Sequence, residues 1–108
     1  MQKLRSMCLA LPETTEKSSW GHPNFRAGRR TFAAFEIFGG QPSIAFRLPP
    51  AEVASLLRRK RFFATPYGRN LWVSLRVDRA VDWRLVDTLL RRSYRTVAIK
   101  RMIDALDA

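Results

Sequence analysis

The chain has 108 residues, 46% of them apolar, which suits one domain over residues 1–108 with its own core and excludes two domains or wholesale disorder. Twenty basic against nine acidic residues give a net charge of +11 and a pI of about 11.4, a surface that attracts polyanions and repels further copies of itself. A single cysteine, Cys8, excludes an internal disulfide or a cysteine metal cluster, and no apolar run approaches the roughly 18 residues of a membrane-spanning helix.

In chain order, Leu4, Met7, Cys8 and Leu11 recur at helical spacing, so residues 2–11 read as an amphipathic helix stopped by Pro12, not as a signal peptide. Residues 14–19 are polar and β-tolerant and read as an edge strand. Phe25-Arg26-Ala27, Gly28-Arg29-Arg30 and Thr31 to Phe38 read as a hairpin with a glycine in its turn. Alternation along its second strand places Phe32, Ala34 and Glu36 on one face and Ala33, Phe35 and Ile37 on the other. Gly39-Gly40-Gln41-Pro42 is a turn, and Ser43 to Leu48 the next strand. Pro49-Pro50 opens a helix with Val53, Leu56 and Leu57 inward and Arg58 and Arg59 outward.

Residues 61–70 read as a loop. Leu71 to Val77 is a strand with Trp72, Ser74 and Arg76 on one side and Leu71, Val73, Leu75 and Val77 on the other. Asp82 caps a helix carrying Leu85, Val86, Leu89, Leu90 and Tyr94. The apolar set Ile99, Met102, Ile103 and Leu106 is rotated by roughly 150° from that stripe at about 100° per residue. A break near residues 94–96 is therefore expected; alternatively, the last helix leaves the core to meet a partner chain. The order α-β-β-β-β-α-β-α-α predicts an α+β, two-layer sandwich with a mostly antiparallel sheet covered by helices on one face.

Leu9-Ala10-Leu11-Pro12, then Trp20-Gly21-His22-Pro23 and Phe25, form a first distinctive block; Gly28 to Phe35 forms a second. Pro66, Trp72 and Arg92-Ser93-Tyr94 ahead of Val97-Ala98 complete a pattern that resembles the MmcQ/YjbR family of small bacterial proteins from about residue 7 to 98. The resemblance implies a CyaY-like (frataxin-like) fold and, more loosely, DNA binding through paired β-hairpin wings. The chain departs from the family pattern in its apolar Phe62-Phe63 and in the helical continuation over residues 99–108.

His22 is the only histidine, and no acid lies at a diagnostic spacing to orient it, so a turn role outweighs a catalytic one. Trp20, Gly21, His22, Pro23, Phe25, Trp72, Ser93 and Tyr94 are therefore read as an architectural signature or the lining of a ligand cleft. All the basic residues but Lys3, Lys17, Lys60 and Lys100 are arginines, whose planar forks suit phosphates and guanine edges; a GC-rich genome would also favour arginine. Arg26, Arg29 and Arg30 surround the first hairpin turn, with Arg47 on the adjacent strand. Arg58 and Arg59 begin the densest basic run, Arg84, Arg91 and Arg95 share one helix face, and Tyr67, Arg69 and Asn70 could stack on an unpaired base.

The leading expectation is a non-enzymatic protein that binds nucleic acid, duplex DNA ahead of RNA, by arginine–phosphate contacts of low sequence specificity. The contacting set is Arg26, Arg29, Arg30, Arg47, Arg58, Arg59, Arg69, Arg91 and Arg95. The expected setting is the cytoplasm or nucleoid, as a monomer or weak homodimer with no membrane, cofactor or metal. Iron, which a frataxin-like fold raises, favours clustered carboxylates, and the nine acidic residues here are dispersed. The alternatives are a protein-interaction module using Phe62-Phe63 or the 99–106 stripe, and a small-ligand binder using the Trp20–Pro23 region with Tyr94.

Overall fold

Leu4 and Cys8 lie one helical turn apart, and both are fully buried in the computed structural model, which describes residues 1–19, 21–66 and 68–108. They anchor α1 (Gln2–Leu9) to the sheet. The chain then runs through β1 (Thr14–Ser19), β2 (His22–Ala27), β3 (Arg30–Phe38) and β4 (Gln41–Arg47) as an antiparallel meander. Two turns fix its register. Gly28 has φ +62° at the first position of the two-residue β2–β3 loop, as a type II′ turn requires; Gly39 and Gly40, with φ +57° and +78°, suit the type I′ turn between β3 and β4.

Pro50 occupies the first turn of α2 (Pro50–Leu56), whose Val53 and Leu56 enter the core while Leu57 stays exposed, contrary to the inward position expected for it. Phe62–Ala64 forms a short strand, β5, where a loop was expected. It pairs with β6 (Trp72–Arg76), and Phe62, opposite Leu75, packs against the core. The sheet order is β1-β2-β3-β4-β6-β5, antiparallel throughout. The expected α+β architecture is thus present, with one strand more than the sequence signalled.

The Asp82 side chain accepts from the backbone N–H groups of Arg84 and Leu85, capping α3 (Trp83–Val97) as expected. Val86, Leu89, Leu90, Tyr94 and Val97 are its buried stripe, and α3 packs on β3 and β4. α3 runs unbroken through residues 94–96, where a break was expected, and the break falls at Ala98, whose extended backbone (ψ 143°) separates α3 from α4 (Lys100–Asp107). This resolves the conflict between the two apolar stripes: α4 folds back and buries Met102 beside Gly28, instead of leaving for a partner. Arg101 clamps Glu13 with two hydrogen bonds of 2.9 and 2.8 Å, and Arg95 pairs with Asp107.

Strand pairing assigns the two faces. Phe25, Ala33, Phe46 and Val73 lie in one cross-strand row, and Phe35, Ile44, Leu75 and Phe62 in the next, all toward the helices. Phe32 joins them, although simple alternation places it with Ala34 and Glu36. A bulge explains the difference: Phe25 pairs with Ala33 but Arg26 pairs with Thr31, which leaves Phe32 unpaired and turned to the helices. There its ring meets Tyr94 edge-on at 5.6 Å.

Candidate nucleic-acid interface on the open sheet face

The face without helices carries a different chemistry. Asn24, Ala34, Ala45 and Ser74 form one cross-strand row across β2, β3, β4 and β6. Arg26 and Thr31 lie toward one end of it, with Glu36 and Ser43 toward the other. The small Ala34 and Ala45 leave a hollow, and the segment after β5 folds over it. A cavity of about 250 Å³ results, lined by Asn24, Thr31, Ala34, Glu36, Ala45, Thr65, Pro66, Gly68 and Trp72.

The covering segment is tightly fitted. Gly68 donates to the Thr65 carbonyl at 2.9 Å, and a Cβ on Gly68 would meet that oxygen and Trp72 Cβ at 2.9 Å. Leu71 N–H closes back on the Gly68 carbonyl, with Arg69 and Asn70 both left-handed at φ +52° and +64°. That conformation costs a side-chain-bearing residue about 1–2 kcal/mol. Thr65 and Ser74 hydroxyls bond at 2.7 Å beneath.

Two polar groups on this face have no side-chain partner among the described residues, Glu36 half-buried and Arg26 Nε fully buried. The Glu36 carboxyl makes no hydrogen bond or ion pair among the described residues. Burial raises it above the ordinary carboxylate range, against a smaller opposing pull from His22. Arg26 Nε is buried and has no partner among the described residues. Asn24 donates one amide hydrogen to the His22 carbonyl at 3.2 Å, which keeps its side-chain oxygen available.

The cations divide sharply. Seven of the 20 Lys and Arg side chains form ion pairs, and these occupy seven of the nine carboxylates. Among the described residues, the two carboxylates left without an ion pair are Glu36 and the helix-capping Asp82. Strand register gathers Arg26, Arg29, Arg30, Arg47 and Arg69 at one end of the sheet: the β2–β3 turn, the end of β4 and the loop entering β6. None of the five is ion-paired among the described residues. Arg58 and Arg59, at the close of α2, lie at the opposite end, where Arg59 sits 5.7 Å from the Phe62 ring. Arg91 and Arg95 belong to the helical layer and pair with Asp87 and Asp107. The nine arginines singled out from the sequence are therefore one cluster of five and two separate pairs.

Phe62 and Phe63 are both partly exposed, and Ile99 is exposed. Phe63 meets Phe38 edge-on at 5.8 Å beneath the Arg76 guanidinium, and Phe62 is part of the core margin. Among the described residues, no group of three His, Cys, Asp or Glu side chains could hold a metal ion, and no helix is long and apolar enough to cross a membrane. Trp20 and Tyr67, the motif tryptophan and the loop aromatic, lie outside the described residues.

The YjbR family profile matches residues 9–96. The chain belongs to the YjbR family. A crystal structure of a Deinococcus radiodurans protein with a DUF419 domain is similar over 98% of this chain and 86% of its own, with 23% identity and a TM-score of 0.79. A Pseudomonas syringae protein solved by structural genomics is similar over 89% and 97%, with 15% identity and a TM-score of 0.75. At these identities both show the α+β fold alone; neither is described as a frataxin. No curated protein matches the chain.

The structure gives much of the motif in this YjbR-family chain an architectural role. Tyr94 is fully buried, and its hydroxyl donates at 2.7 Å to the carbonyl of Pro12, tying α3 to the Leu-Pro stop of α1. Ser93, beside it, is buried with its hydroxyl unpartnered among the described residues. Gly21 takes φ +77° before β2, and Phe25 is a core residue. His22 and Pro23 begin β2, with His22 close enough to Glu36 to affect its charge. Trp72 instead lines the cavity. Sequence reading missed Asn24, Thr31, Glu36 and Thr65 as site residues. The available signal was Glu36 itself, an acid in the apolar run from Phe32 to Phe38.

Proposed function

We propose that this YjbR-family protein is a non-enzymatic nucleic-acid-binding protein that holds duplex DNA through phosphate contacts of low sequence specificity. The observation that carries the reading is the gathering of Arg26, Arg29, Arg30, Arg47 and Arg69 at one sheet end without an ion-pair partner among the described residues. Of the thirteen cations outside ion pairs among the described residues, these five share one sheet end, and the other eight, Arg58, Arg59 and Lys60 among them, lie elsewhere. Neighbouring strands lie about 4.8 Å apart, which sets Arg26 on β2 and Arg47 on β4 about 10 Å apart along the sheet end. The β2–β3 turn adds Arg29 and Arg30 as an exposed tip. Guanidinium groups so placed neutralise successive phosphates and release their counterions.

No serine, threonine or cysteine side chain among the described residues bonds to His22 or to a carboxylate that could activate it. Cys8 is buried and its thiol is pushed up to about 12, which removes it as a nucleophile. The test is binding of a random-sequence duplex across a salt series, with single-stranded RNA in parallel. Micromolar or tighter duplex binding near physiological salt, weakening steeply as salt rises, is expected. Negligible binding there would end this reading.

A further inference from the structure

The cavity on the open face is too small for a polymer and too polar for an apolar docking groove. Its volume of about 250 Å³ is the space of about eight waters, the scale of one ring system. Ala34 and Ala45 give it a flat floor, Trp72 an aromatic wall, and Pro66 and Gly68 a cover. Its polar lining runs from Glu36 at one end through Asn24 in the middle row to Thr31 at the arginine end. A carboxylate is an acceptor with two oxygens, so the half-buried Glu36 calls for a ligand edge carrying adjacent N–H donors. A guanidinium would satisfy that demand, but the unpaired Arg26, Arg47 and Arg69 beside the cavity repel a cation. The ligand must therefore present donors at its ring edge and negative charge at its other end.

We propose that this cavity is a binding site for a single guanine nucleotide, with the base edge on Glu36 and Asn24, the ring between Trp72 and the alanine floor, and the phosphate on the Arg26, Arg47 and Arg69 side. Guanine is the base whose Watson–Crick edge places two N–H donors side by side, matching a carboxylate in two-point contact. Adenine offers an amino donor beside an acceptor nitrogen, which an ionised carboxylate repels. The ligand is either a free nucleotide or the unstacked nucleotide of a strand, since the chemistry at the pocket is the same. The inference rests on the nucleic-acid reading for its ligand class, and narrows it to one base at a defined place.

The experiment is calorimetric titration of the full chain with GMP, AMP, CMP and inorganic phosphate, with chemical-shift mapping of the GMP complex. GMP should bind at least tenfold more tightly than each of the others, with shifts centred on Asn24, Thr31, Glu36 and Trp72. E36Q should weaken GMP about tenfold relative to the native chain. A single-stranded oligonucleotide with one guanine among thymines separates the two sources: tighter binding than GMP assigns the site to a strand, weaker binding to a free nucleotide. GMP binding no tighter than phosphate, equal affinity in E36Q, or shifts centred elsewhere would each overturn the pocket assignment even with duplex binding intact. The converse, GMP binding without duplex binding, would keep the pocket and remove the polymer reading. Should E36Q fail to fold, the shift map and the base series on the native chain decide alone.

Discussion

Three double substitutions separate a localised phosphate site from a general effect of charge. R29A/R30A removes two members of the five-arginine end; R58A/R59A removes two cations at the opposite end; R91A/R95A removes two that pair with Asp87 and Asp107. Each lowers the net charge equally. If all five arginines of the cluster meet phosphates, the logarithm of the binding constant falls with the logarithm of salt at a slope of about −4.5, at about 0.9 per phosphate. Between about 50 and 200 mM salt that is a loss of about 500-fold; R29A/R30A should reduce the slope to about −2.7 and the loss to about 40-fold. The other two variants should keep a slope near the native value. Fluorescence anisotropy of a labelled random-sequence duplex at five or six salt concentrations reads all three. Equal slopes in the three variants would show that binding follows net charge alone, and the assignment to one sheet end would be wrong.

Y94F removes one buried hydrogen bond to the Pro12 carbonyl and should cost about 1 kcal/mol, or about 4–8 °C in Tm by thermal melting; an unchanged Tm would mean that this bond does not tie α3 to α1. Cys8, with its thiol pushed up to about 12 by burial and by the Glu16 carboxylate, should resist alkylation in the native state at neutral pH and react once denaturant unfolds the chain, as mass spectrometry would record. R69G relieves a left-handed side-chain-bearing residue and should stabilise the fold by about 0.5–1 kcal/mol in urea unfolding, while weakening binding at the cluster. E36Q has a pH signature: the folded carboxyl is raised by burial, so its contribution is fully present when protonated below the unfolded value and is lost as pH rises through the folded one. The glutamine variant should thus melt higher than the native protein at neutral pH, with the difference closing as pH falls below about 4.

The helix-facing half of this protein was legible because periodicity reports burial. Leu4, Cys8, Val86, Leu89, Leu90 and Tyr94 lie where helical spacing places them, and Asp82 caps where its side chain predicts. The conflict between the α3 and α4 stripes announced a break, and Ala98 supplies it. What escaped depends on partners distant in sequence. Phe62–Ala64 is a strand only because β6 is there to pair with it, and three residues carry no period of their own. The face of Phe32 was misassigned because a bulge shifts register without a mark in local composition. The arginines were legible as cations but not as groups: the sequence set Arg58 and Arg59 with Arg26, Arg29, Arg30, Arg47 and Arg69, whereas sheet register places those two at the opposite end.

Departures from local rules collect on the open face of the sheet. There the Glu36 carboxyl and the buried Arg26 Nε lack partners among the described residues, and Arg69 and Asn70 adopt a backbone conformation that side chains resist. The other left-handed side-chain residues, Glu13 and Arg61, are held by ion pairs to Arg101 and Asp78. Arg69 and Asn70 have no such compensation among the described residues. On the helical side, by contrast, packing and capping agree, and Ser93 is the only unpartnered buried hydroxyl found there among the described residues. A fold that tolerates several such costs on one surface, around one cavity, gains nothing in stability from them. Those costs lie beside the unpaired arginines, the surface to which the proposed binding is assigned, whereas the Tyr94–Pro12 part of the motif is accounted for by folding.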